Sequence, residues 1–128
     1  MTEEQQGQAV IDRWDTVFTA LSAEPRRQLV AALKDVSPTN RVLLPEAAMS
    51  PTVEPDRERL RVALLHQHLP LLADGGFVEW TEEPFRAARG SRFEEAAVVL
   101  DLIQTHAERV PDALVYGCRR LEAERRKS

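Results

Sequence analysis

The side chains best able to do chemistry in this chain are three histidines, one cysteine and a large set of arginines. His66 and His68 sit two apart in "LLHQHLPLLADGG", residues 64–76. On a helix that separation is about 200°, so the two rings cannot face one metal ion. His106 and Cys118 add no His-x-x-x-His or Cys-x-x-Cys spacing, and no metal site is expected. His68 follows the apolar face of its segment and reads as a core histidine with a hydrogen-bond partner. A thiol sensor wants neighbouring cations, which Cys118 has in Arg119 and Arg120. Its place on the inner stripe of a helix instead suits an inert small residue. Phosphate-cradling glycines, paired carboxylates and a nucleophile with its base are all missing, so neither an enzyme nor a cofactor is expected.

The arginines point elsewhere. Arg57, Arg59 and Arg61 alternate with Asp56, Glu58 and Leu60 at the start of a long helical pattern. The exposed N-terminal half of a helix in a major groove offers its side chains to base edges and phosphates. With three acids in the same run, a salt-bridged solvent face is the competing reading. "RAARGSR", residues 86–92, is a compact stretch of charge +3 that contributes Arg86, Arg89 and Arg92. On the arm of a hairpin these would reach a phosphate backbone. Glu82 and Glu83, at the expected hairpin tip, oppose that role. The basic tail from Arg119 could touch phosphates, but keeping the chain end soluble is the commoner role for such a tail.

Length and composition bound the setting. At 128 residues the chain makes one domain, and 17 basic against 21 acidic residues give a net charge of −4. That balance excludes indiscriminate nucleic-acid binding, which needs a concentrated basic surface, but leaves room for a local patch. No apolar run approaches the ~18 residues of a membrane span. The acidic start "MTEEQQGQ" is unlike a targeting peptide. A single cysteine suits a reducing compartment, so a cytoplasmic protein is expected.

Hydrophobic periodicity places these residues on elements. Residues 1–8 are polar and read as a disordered N-terminus. Val10, Trp14, Val17, Phe18 and Leu21 define a helix over about 9–21. Ser22 then caps a second helix, about 24–34, with Pro25 in its first turn. Val42–Leu44 reads as a short strand or an extended leg, followed by a brief helix after Pro45. A long helix runs from near Pro55 to Gly75–Gly76, where glycine suits a left-handed cap. Pro70 should kink it or reset its last turn. "FVEW" and "FRAAR" form a hairpin, and two helices follow, about 92–108 and 111–125. The fold class is therefore mainly α with a small β-hairpin, a winged helix-turn-helix over 9–90 with two additional C-terminal helices over 91–125.

At Ala20-Leu21-Ser22, Arg26-Arg27, Leu65-His66, His68-Leu69-Pro70, Leu72, Gly76 and Val78-Glu79-Trp80 the chain resembles a haloarchaeal family of small winged-helix proteins, related in shape to ArsR-like regulators. The resemblance spans roughly residues 14–90, and the His-Leu-Pro segment is its most specific part. It implies sequence-specific binding of double-stranded DNA and transcriptional regulation, and it makes the proline part of the pattern. The C-terminal helical pair departs from the family and suggests a homodimer built on Leu100, Ile103, Leu114, Cys118 and Leu121. A winged-helix adaptor that binds protein rather than DNA is the alternative.

Overall fold

The structure, a computed structural model, describes residues 2–54 and 56–127. It is mainly helical with a small three-stranded antiparallel sheet, an architecture compatible with a winged helix. Helix α1 (Glu3–Ala20) leads to α2 (Glu24–Asp35), strand β1 (Val42–Leu43) and a 3₁₀ turn over Glu46–Ala48. A second helical run follows, made of α3 (Arg57–Ala63), a π turn over Leu64–His68 and α4 (Leu69–Asp74). The hairpin strands are β2 (Val78–Thr81) and β3 (Arg86–Arg89). Helix α5 (Phe93–Thr105), two 3₁₀ turns and α6 (Arg119–Arg126) complete the chain.

Two sequence expectations change at the N-terminus. Residues 3–8 are helical rather than disordered, because Thr2 and Gln5 close a capping box that starts α1 six residues early. Ser22 does not cap α2, whose N-cap is Ala23. Its hydroxyl instead donates to Thr19 O and accepts from Arg26. Pro55 lies outside the described residues, and α3 starts at Arg57 with the Asp56 carboxylate accepting from Arg59 N at 3.1 Å.

Val42–Leu43 proves to be a strand, so the sheet has three members in the order β1-β3-β2. The returning strand β3 is central: Val42 faces Ala87 on one side and Trp80 faces Ala87 on the other. Ala87 is buried on the core face of this strand.

Pro70 does reset the helix. Its ring would clash with the carbonyl of His66 in an α-helix. The wider π turn ends at the proline, with Leu69 N donating to Leu64 O five residues back. One extra residue is thereby inserted, which turns His68 and Leu69 inward together. The run ends at Gly76, whose φ of +80° carries the left-handed cap. Gly76 N donates to Ala73 O and Phe77 N to Leu72 O, the paired bonds of a Schellman motif, with buried Phe77 and Leu72 as its hydrophobic contact.

The core is one cluster drawn from α1, α2, the helical run, the sheet and the first two turns of α5. Phe93, Ala96 and Ala97 belong to it, so α5 is part of the body rather than of a separate C-terminal segment. A smaller cluster of Ala107, Val115 and Leu121 folds the chain end back on itself. The helix expected over 111–125 is broken at Gly117, whose φ is +101°.

Two glycines test this packing in opposite directions. A Cβ at Gly90 would lie 2.4 Å from Gly76 O and 2.8 Å from Val78 N, backbone atoms that cannot swing away. Gly90→Ala should lower stability by about 3 kcal/mol or more. At Gly7, in mid-helix, a Cβ meets nothing within 4 Å, and Gly7→Ala should raise stability by about 0.5–1 kcal/mol. Chemical denaturation of both variants checks the pair; an unaffected Gly90→Ala would refute the close approach of β3 to the cap.

Candidate nucleic-acid interface and its supports

The six arginines that the sequence offers for DNA divide into two kinds. Arg89 is taken up by the fold. Its Nη2 donates to Leu33 O at 2.8 Å and Val36 O at 3.0 Å, and its Nε to Leu33 O. Those are the unpaired carbonyls at the C-terminus of α2, where a cation is favoured by the helix dipole. The guanidinium also lies 4.7 Å from the Phe93 ring centroid. Arg89 is therefore a helix cap, and its expected role as a DNA contact is corrected. Arg57 is held in part, donating to Glu46 at 2.6 Å and to Met49 Sδ. Arg61 lies with its Cζ 4.7 Å above the Phe85 ring, which ties α3 to the start of β3. Arg59, Arg86 and Arg92 are exposed.

A sequence reading of charge alone missed most of the exposed face of α3 and the π turn. Glu58, Arg59, Val62, His66 and Gln67 are all exposed there, and Val62 is 49% exposed. The signal was present as the helical spacing 59, 62, 66. The extra residue of the π turn then brings Gln67 onto the exposed face, which a regular period would not show. Arg, His and Gln can hydrogen-bond base edges, and an exposed Val can meet a thymine methyl. Leu43 is the register partner of Arg86, and exposed Arg41 lies just before that strand. The hairpin tip at Glu82 and Glu83 is exposed and acidic.

The helical run is pinned from beneath by a buried polar pair. Arg26 is 4% exposed and His68 6%. Arg26 donates to Ala20 O and Thr19 O, each at 3.0 Å, to Ser22 Oγ at 2.9 Å and to His68 Nδ1 at 2.7 Å. Guanidinium only donates, so His68 Nδ1 accepts and the ring is neutral with its proton on Nε2. Among the described residues no carboxylate balances Arg26. The carbonyls ending α1 solvate it instead, supplied by the negative end of that helix. Burial first, and then the charge of Arg26, depress the pKa of His68 below its ordinary 6.5. His68 is the partnered core histidine that its place on the apolar face suggested.

Of the five residues that the sequence offers for a dimer, Leu100, Cys118 and Leu121 pack within the chain. Leu100 packs on the main core and Leu121 is 9% exposed in the small C-terminal cluster, with Cys118 against it. The end of the second stripe turns inward where Gly117 bends the chain, and Arg120 reaches Asp35 at 2.6 Å. Leu114 and Ile103 stay exposed. The larger uncovered apolar surface is on α1, where Val10, Ile11, Trp14 and Phe18 are each more than half exposed. Trp14 and Phe18 stack with centroids 5.6 Å apart. The body covers only the neighbouring edge of this face, through Val17, Ala20 and the Arg13–Glu95 ion pair at 2.6 Å.

Among the described residues no three metal-ligating side chains gather, and no helix is long and apolar enough to cross a membrane. No protein family, curated protein or solved structure matches this chain.

The Arg26–His68 pair predicts a pH dependence of known sign. A histidine whose pKa is depressed in the folded state binds fewer protons folded than unfolded. Its contribution is fully present above the unfolded value of 6.5 and is lost as pH falls below it. The melting temperature should drop between pH 7.5 and pH 5 (chosen to bracket that value), and His68→Gln should flatten this part of the profile. Parallel profiles for the two proteins would remove His68 as the source.

Proposed function

We propose that the chain is a sequence-specific DNA-binding transcriptional regulator of winged-helix type, acting as a homodimer. The observation that carries the reading is the exposed face of α3 and the π turn, with Arg59, Val62, His66 and Gln67, together with exposed Arg86 at the start of the central strand. On this reading the helix face meets base edges, Arg86 and Arg92 hold phosphates, and Arg61 against Phe85 keeps helix and hairpin in fixed relation. Arg57 and Arg89 serve the fold first. The resemblance carried by Arg26, His68 and Pro70 supports the same conclusion, since Arg26 and His68 meet beneath that helix and Pro70 follows the π turn that carries His68.

In vitro selection from random duplexes tests this directly and should enrich one motif. Arg59→Ala should then weaken binding to the selected site by about 1–3 kcal/mol and relax one base position. Arg86→Ala should weaken all sequences alike and reduce the salt dependence. Arg89→Ala should instead lower stability by about 2 kcal/mol. Failure to enrich any sequence would favour the second reading, a protein-binding adaptor. That reading is supported by the acidic tip at Glu82–Glu83 and by the net charge of −4.

For the dimer, the uncovered α1 face supports pairing through Val10, Trp14 and Phe18, which would bring two such helices together about a two-fold axis. Trp14→Glu with Phe18→Glu should yield monomers by sedimentation and weaken binding to a palindromic site. A wild type that is monomeric throughout the micromolar range would remove the homodimer.

A further inference from the structure

A cleft of about 720 Å³ opens between the outer face of α2, the segment after the 3₁₀ turn, the start of α3, α5 and the bend before α6. That volume suits one small organic molecule. Its floor is built from small side chains, Ala31 and Ala48, both buried. Larger residues there would fill the space that remains. Its walls are apolar side chains that the described residues leave open: Val53 is 67% exposed, Leu114 66% and Ile103 43%.

The charges around this cleft are unequal in availability. Glu24 and Asp56 are on the lining, yet both are engaged. Glu24 accepts from Arg27 at 3.2 Å and Gln28 at 2.8 Å, and Asp56 accepts from Arg59 N. Arg120 is held by Asp35. Arg119 is exposed at the mouth and makes no ion pair among the described residues. An apolar interior with one available guanidinium at its rim complements an apolar body ending in one anionic group.

We infer that this cleft binds a small amphipathic carboxylate, its apolar body between α2, α5 and Leu114 and its carboxylate on Arg119. The site is independent of the DNA-binding reading, since none of the exposed α3 groups assigned to DNA lines it.

The test is calorimetric titration of the full chain with octanoate, octan-1-ol and octylamine. Octanoate should bind at one site per chain, about tenfold more tightly than the alcohol, with the amine weakest. Arg119→Ala should bring octanoate down to the affinity of the alcohol. Ile103→Glu, at a half-exposed position outside the core, should abolish binding of both while leaving the thermal melt unchanged. Cys118 lines the same cleft, so octanoate should slow its alkylation by iodoacetamide, saturating at the calorimetric concentration. Equal affinities for the three probes, or an unchanged Arg119→Ala, would overturn the assignment. So would a chain that binds no octanoate and forms a dimer that Ile103→Glu dissociates, which would give the cleft to a second copy.

Discussion

The arrangement depends on one buried guanidinium. Among the described residues Arg26 has no counter-ion in the interior, and everything around it is organised to make that tolerable. The last carbonyls of α1 converge on it, Ser22 turns its hydroxyl towards it, and His68 stays neutral to accept its remaining donor. An unpaired buried cation is strongly destabilising, so each partner is required once the arginine is in place. The consequence is geometric. The end of α1 and the start of α2 are held to the π turn some 42 residues further on, and the π turn carrying His68 cannot slide or rotate without breaking the set.

The proline and the histidine are two halves of that constraint. Pro70 forbids a regular α-turn behind it, and the π turn that results faces His68 towards Arg26 rather than towards solvent. The same inserted residue decides which side chains of the run remain outside. The exposed face of α3 is therefore shaped by a buried interaction, and the polar groups on it inherit a fixed position relative to the sheet. Arg61 over Phe85 and Arg13 between Glu95 and Gly75 O brace the run at either end.

Arginine does two different jobs in this chain. Arg26, Arg89 and Arg125 each solvate main-chain carbonyls at the end of a helix or 3₁₀ turn, while Arg59, Arg86, Arg92 and Arg119 stand in solvent. A planar group with five donors suits the first job as well as it suits phosphate or carboxylate. Lysine, with a compact ammonium, would satisfy fewer carbonyls at once. The arginine-rich composition thus reflects internal architecture as much as any partner.

Local signals in the sequence determined much of this protein. Periodicity located the helices, Gly75–Gly76 the left-handed cap, "FVEW" and "FRAAR" the hairpin, and Pro70 the disturbance in the long helix. Each of these acts through nearby backbone, so a short window contains its cause. The Thr2–Gln5 capping box was equally local and was overlooked in a polar segment. What the tertiary structure alone decided is which like residues go inside. "RAARGSR" holds three arginines of equal charge, and only the approach of the end of α2 consumes Arg89 while leaving Arg86 and Arg92 free. Leu114 and Leu121 share a helical stripe on paper, but the left-handed bend at Gly117 buries one and exposes the other. The apolar face of α1 reads as core by its pattern, yet the body packs only on its Val17–Ala20 edge and leaves Val10, Ile11, Trp14 and Phe18 exposed. Periodicity reports that a face is apolar; only the packing of remote elements reports what, if anything, covers it.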